Sequence, residues 1–419
     1  MKKSLLIASV FASQALFAQS FESDSVSIQG GYANQGYYSL ENGEVANIDN
    51  SDWDLAFSTG GGSSTIRTNT AKGTQIWLYP NGDTSAWNAI DTTGITTWEE
   101  LSNSIETWTL GSFSEPANSA DPFDLGWGSY NMTTHHVNGN RIFIVKSISG
   151  TYKKVIIESL VSGLYTVHLA DLNGQNDAYI YLDKDMYGTK NFGYYSIDND
   201  SQEDREPASA DWELLFTQYA EPIDMGGSVM LYPVSGVLVN EGVELVELTG
   251  LADPFADQDT TGATFSTDIS TIGRDWKAYD MNAGGYVLDD SLAFLVKNIE
   301  GDVYQVVFTG FESGDGKFVF SKKLLFQDPN GVTGIENNAF VNVFPNPANN
   351  IINIAFDVQS TETLSLSLYD LSGKQVLNKQ TAISGFDKET VDVSTLPSGI
   401  YFLNLRSESI QQTQKIIIK

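Results

Sequence analysis

The 419-residue sequence contains no cysteine. Disulfides, iron–sulfur clusters, thiolate zinc sites and thiol nucleophiles are therefore excluded, as is a lipoprotein anchor through an N-terminal cysteine. Basic residues are scarce: 23 Lys and Arg face 53 Asp and Glu, a net charge of −30. Nucleic-acid binding needs Lys and Arg to release phosphate counterions, so this balance argues against it, and against a polybasic membrane contact. The deficit is uneven, because residues 340–419 hold six basic and seven acidic side chains, which leaves the acidity to residues 1–339. That body reads as a soluble surface kept apart by like charge. No apolar run reaches the 18 residues of a spanning helix. Histidine is rarer still, with His135, His136 and His168 as the complete set. HExxH, GxSxG, Walker and dinucleotide motifs are missing, which points away from an enzyme.

Aromatic residues and glycine are plentiful: 22 Phe, 19 Tyr, 8 Trp and 37 Gly. Aromatics suit pleated, half-buried surfaces and glycine suits the turns between them, so an all-β protein is expected. The start, "MKKSLLIASVFASQALFAQS", places two lysines before a short apolar run that ends in small residues. It reads as a signal peptide over residues 1–18, and hence as an exported protein.

The chain repeats itself. "YYSL" (37–40) returns as "YYSI" (194–197), "DWDLAF" (52–57) as "DWELLF" (211–216) and "WLYP" (77–80) as "MLYP" (230–233). "DPF" (121–123) recurs at 253–255, and "FIVKSISGTY" (143–152) as "FLVKNIEGDVY" (294–304). Order and spacing are kept, which predicts tandem domains at 19–190 and 191–327. In "DWDLAF" the residues Trp53, Leu55 and Phe57 alternate with Asp52 and Asp54, the period of a half-buried strand. "SISGTY" predicts a hairpin with Gly150 at its tip. "TTWEELSNSIETW" (96–108), with Trp98, Leu101, Ile105 and Trp108 at helical spacing, predicts one short helix. The polar stretch 328–339 reads as a linker. Beyond it Leu364, Leu366 and Leu368 alternate with serines, which predicts a small Ig-like β-sandwich over residues 340–419.

This last segment closely resembles the type A sorting domain of the type IX secretion system of Bacteroidetes. The boxes "FPNP" (344–347), "YDLSGK" (369–374), "LPSGIYFL" (396–403) and the closing "QKIIIK" stand in family order. The resemblance implies passage through the outer membrane, with the type IX machinery as a partner, and release or display at the cell surface.

The histidines gather in the first copy. Aligning the repeats sets His135 and His136 near Gly284 and Gly285, and His168 near Phe320. If the core needed these histidines, the second copy shows a core that does without them. Two separated histidines without cysteine suit metal ligation, and haem iron in particular, since a neutral imidazole is a good axial ligand. Zinc would need three or four ligands, for which Asp121, Asp124 and Asp171 are the available acids. The segments 37–45, 52–57, 77–80 and 130–146, leading to "YTVHLA" (165–170), resemble the HmuY family of secreted haem-binding proteins. That resemblance implies two tandem HmuY-like β domains ahead of the sorting domain. It also implies haem, or a host haemoprotein, as partner, held between His136 and His168, with His135 as substitute and Met132 (repeat partner Met281) as a methionine alternative. An apolar cleft of Met132, Val137, Phe143, Tyr165 and Val167 is expected there, with Arg141, Lys146, Lys153 and Lys154 for the propionates. The competing expectation is a cofactor-free adhesin that stacks glycans on Trp77, Trp87, Trp98, Trp108 or Trp127. Oxygen-rich loops at 171–177 and 198–204 read as solvated turns rather than calcium sites.

Overall fold

The computed structural model describes residues 20–327 except 225, 228 and 261, and residues 340–419 except 345, 349, 371–373 and 408. The expected signal peptide and the linker 328–339 lie outside the described residues, as do parts of the "FPNP" and "YDLSGK" boxes. The chain is all-β: strands joined by turns and short 3-10 segments.

Residues 50–204 build one assembly. Its main sheet runs Ala178–Asp183, Leu164–Asp171, Tyr152–Val161, and then carries two strands on the far edge of the last. These are His136–Gly139, which leads to Gly128–Asn131, and Phe143–Lys146, which leads to Gln75–Leu78. Hairpin 143–161 turns at Gly150, whose φ of 93° suits glycine. A second sheet orders Ser201–Glu203, Phe192–Ser196, Leu55–Ser58 and Ile66–Thr68. Between them lies a core of Leu55, Phe57, Phe143, Tyr165, Leu182 and Tyr195.

The other assembly repeats this plan, but it takes its first strands from the amino terminus. Glu22–Ser27 adds to the edge of Lys317–Phe326. Asn34–Ser39 pairs with Leu214–Asp224, setting Tyr38 opposite Leu214 and Tyr37 opposite Leu215. In the first assembly the matching "YYS" strand, Phe192–Ser196, lies on Leu55–Ser58 instead. Val26, Ile28, Tyr38 and Leu40 accordingly share a core with Phe216, Phe294 and Phe318. We propose dividing the body on this basis, as 50–204 and as 20–49 with 205–327, in place of a cut at 190/191. The 190/191 cut would part Phe192–Ser196 from the strand it pairs with.

A buried carboxylate locks each junction. Asp54 is 1% exposed and accepts the N–H of Ile197 (2.8 Å), that of Ile148 (3.0 Å) and the hydroxyl of Thr74. Its counterpart Glu213 accepts the N–H of Leu40 at 2.7 Å. The strand thus buries the face expected to carry solvated acids. Burial pushes the Glu213 carboxyl up to about 7, and raises that of Asp54 as well.

The expected helix over 96–108 does not form; the segment holds only the 3-10 turn Ile95–Thr97. Its apolar residues serve separate clusters: Leu101 the main core, Trp98 the group around Trp77, and Ile105 and Trp108 the group around Tyr37. Its carbonyls face outward from the segment to the buried Arg67, which donates to Ser104, Thr107 and Leu110. A helix would have spent those acceptors internally.

The sorting tail is one five-stranded sheet. Its long strands Ile351–Asp370 and Gln375–Asp392 change register between Val358 and Glu362, and residues on both sides of the break share one core. Leu364, Leu366 and Leu368 are buried there, as the alternation requires.

Two outcomes are expected. Residues 50–204 produced alone give cooperative thermal melting, whereas 205–327 folds only when 20–49 is supplied; calorimetry of the fragments checks this. Because Glu213 is harder to ionise folded than unfolded, stability falls as pH rises from about 4.5 to about 7 and levels off above. Glu213→Gln keeps an acceptor for Leu40 and removes its share of that fall, a gain of up to about 3 kcal/mol at pH 8, read as the difference between the two pH–stability curves; Glu206, which burial also pushes up to about 7, keeps the rest of the fall.

Candidate functional site

The face of the seven-stranded sheet that turns away from the main core carries the histidines. In Leu164–Asp171 the core side is taken by Tyr165, Val167 and Leu169, so His168 projects to the other side with Thr166 and Ala170. Its neighbours across the ladders are Ile156 and Tyr179. The imidazole lies between the rings of Trp87 (4.1 Å) and Tyr179 (4.3 Å, nearly parallel), and the residue is 8% exposed. Nε2 meets Asp177 Oδ1 at 2.7 Å and Nδ1 meets Glu158 Oε1 at 3.3 Å. The ladder skips Glu158 between Ile157 and Ser159, so this carboxylate is the extra residue of a β-bulge. The hydrogen bond to His168 holds the Asp177 carboxyl below the usual carboxylate range. Trp87 sits on the 3-10 turn Thr84–Ala89, and the buried Lys154 clamps it by donating to its carbonyl at 2.6 Å.

His136 opens the short strand His136–Gly139 and is half-buried. That strand meets Tyr152–Val161 at Asn138–Ser159 and Val137–Leu160, so His136 stands level with Val161. The bulge brings Val161 onto the face of His168. Strand spacing then separates the two α-carbons by about 19 Å, mostly along the strand direction. His135 turns away in the left-handed region (φ 58°), with Nδ1 2.9 Å from the Tyr130 hydroxyl. Met132, like Met281 of the other hairpin, is exposed. Register also corrects the repeat alignment: Tyr165 faces Leu182 as Phe318 faces Val26, so the counterpart of His168 is Ser321 rather than Phe320.

Several expectations need revision. Val137, Phe143, Tyr165 and Val167 form the core on the opposite face and cannot line a cleft with His168. The four basic residues already have partners: Arg141 on Asp124, Lys153 on Asp171, Lys146 on Gln75, and Lys154 on Trp87. Among the described residues no group of three His, Asp or Glu could hold a metal ion, so Asp121, Asp124 and Asp171 complete no zinc site. Of the five tryptophans named for glycan stacking, Trp77, Trp87 and Trp127 are buried and Trp98 and Trp108 half-buried. The sequence reading named Trp87 only for glycan stacking and missed Asp177, Glu158 and Tyr179. Asp177 and Tyr179 lie close to His168 in sequence, and strand alternation could have found Tyr179.

For haem, the donor types suit, because two imidazoles share a face and aromatic rings flank one of them, but at about 19 Å between α-carbons they stand too far apart to hold one iron without the hairpin of His136 moving. The hydrogen bonding sets one condition. His168 offers Nε2 to iron only after releasing Asp177, a carboxylate whose side chain is 45% exposed.

Residues 31–167 match the family model described as HmuY protein. This match takes in His135 and His136 and ends one residue before His168. Residues 342–419 match the model of the secretion system C-terminal sorting domain. No curated protein matches the chain. Among solved structures, dimeric latent PorU from Porphyromonas gingivalis aligns at 12% identity over 82% of this chain and 34% of its own, with a TM-score of 0.18. This chain thus spans about a third of that protein, and the overlap is too slight to inform its fold. The chain carries an HmuY-family region followed by a type IX sorting domain, and it is a protein exported across the outer membrane to the cell surface or the medium.

Proposed function

We propose that the protein binds haem on the outer face of its seven-stranded sheet, with His168 and His136 as axial ligands and no catalytic role. The observation that carries this reading is the placement of both histidines on one face of a sheet that lies largely within the HmuY match. Haem iron accepts a neutral imidazole on either side of its plane. The rings of Trp87 and Tyr179, with the exposed Tyr181, supply flat apolar surface beside His168. His136 belongs to a hairpin at the sheet edge, which moves toward His168 to share one iron. Asp177 competes with the ligand for His168.

We extend the reading to 20–49 with 205–327 as a second unit of the same type. It has Ser321 where the first has His168 and no histidine of its own, so it contributes no imidazole ligand. Handling of the tail by the type IX machinery completes the scheme; haemoproteins outside the cell are the source of the ligand.

Haemin titration of the mature chain, followed at the Soret band, tests the reading. A sharp band at one equivalent is expected, lost in His136→Ala and His168→Ala. Asp177→Ala frees Nε2 and tightens binding by about fivefold, the worth of one partly exposed charged hydrogen bond. The broad band of free haemin with the unaltered chain, or a sharp band in His168→Ala, contradicts the proposal.

A further inference from the structure

The two assemblies are closed by matching segments, 178–204 in the first and 20–49 in the second. Val26 stands opposite Phe318 as Leu182 stands opposite Tyr165. The N–H groups of Ile28 and Lys184 donate to the matching carbonyls of Gly316 and Gly163, each at 3.0 Å. Each segment therefore opens one repeat and closes the body of the other. Asp54 and Glu213 accept a backbone N–H, which either segment offers, so these locks do not tell the segments apart.

One matched position differs in kind. Ile28 is fully buried in the core that contains Phe318. Lys184 is 7% exposed; its Nζ stands 5.4 Å over the Tyr165 ring and donates to the carbonyls of Gly60, at 3.0 Å, and Ser63. The bodies differ in the opposite sense. The hairpins align at Tyr130 and Tyr279, which sets Gly128 in the place of Lys277. Lys277 is also buried; its Nζ stands 5.7 Å over the Phe318 ring and donates to the Ser235 carbonyl at 2.6 Å. The strand ladders make Ser235 the counterpart of Ser64, next to Ser63. At Gly128 a Cβ would meet the Asn138 carbonyl oxygen at 2.5 Å, so the first body has no room for a lysine there. Each core thus holds one ammonium at the same end, brought by the segment in the first assembly and by the body in the second. Burial pushes Lys184 down to about 8 and Lys277 down to about 7.

Closure of each body by the other segment would upset this count. Lys184 would enter the core that already holds Lys277 and set two ammonium groups over one ring. Ile28 would enter the first core and leave the Gly60 and Ser63 carbonyls without their donor. Buried like charges and unmet carbonyls are both costly. We propose that Lys184 facing Gly128, and Ile28 facing Lys277, specify which segment each body accepts, so that the two repeats exchange their opening strands and stay joined. This selection is independent of haem.

The chain has no cysteine, so introduced pairs report the closure. Ser23 Oγ lies 3.0 Å from Ser321 Oγ, and Ser23→Cys with Ser321→Cys bridges when 20–49 closes on 205–327. His168 matches Ser321, so Ser23→Cys with His168→Cys bridges in the other closure. The mature chain, refolded in dilute oxidising buffer and mapped by peptide analysis, is expected to form the first bridge and not the second. Ile28→Lys with Lys184→Ile exchanges the two side chains, and the bridge is expected to move to the His168 pair. A folded exchange variant that keeps the Ser23–Ser321 bridge overturns the proposal. If that variant does not fold, a double-mutant cycle decides. Ile28→Lys lowers the melting temperature, and Lys277→Met in the same chain recovers most of the loss. Little or no recovery overturns the proposal.

Discussion

Two buried carboxylates hold the body together. Asp54 and Glu213 each sit at the start of a "DW" strand and accept a backbone N–H from a strand that arrives from elsewhere in the chain. Such groups are costly to bury unless they are hydrogen-bonded, and Asp54 also collects Ile148 and Thr74. For the first assembly the arriving strand, Phe192–Ser196, comes from later in the chain, Ile197 being 143 residues beyond Asp54. For the second it is the amino-terminal strand, about 170 residues distant. Two four-stranded sheets and the aromatic pairs Tyr37–Trp212 and Trp53–Tyr194 are built around these closures.

The closure also explains what keeps the two assemblies in contact. Arg205 bonds Gln35 and the Asp49 carbonyl and pairs with Asp52, three groups near the crossing point of the amino-terminal segment. Trp108, from the irregular segment 96–108, donates to the Val239 carbonyl at 2.7 Å and packs on Phe192. The irregularity of 96–108 is thus a consequence of where its side chains and carbonyls are needed. The histidine face lies on the far side of the main core and takes no part in this junction.

Much of this was legible in the sequence. Alternation marked the strands, as at Leu364 to Leu368, and the repeated motifs "DWDLAF" and "DWELLF" each run into a paired strand. Partner choice was not legible. "YYSL" and "YYSI" are nearly the same strand, and "DWDLAF" and "DWELLF" nearly the same acceptor, so local pattern favours neither pairing over the other. The histidine site was half legible: His136 and His168 stood out by rarity, and alternation already set His168 apart from Tyr165 and Val167. The bulge at Glu158 and the arrival of Trp87 from a distant turn leave no local signature, because each depends on tertiary packing.

Native-state hydrogen exchange tests the closure most directly, since it reports the opening free energy of each amide. The account predicts that the amides of Tyr37, Tyr38 and Leu40 open only with the unfolding of 205–327, at the same free energy as Leu214 and Phe216. Exchange of residues 22–49 at a much lower free energy, while Leu214 and Phe216 stay protected, would contradict it.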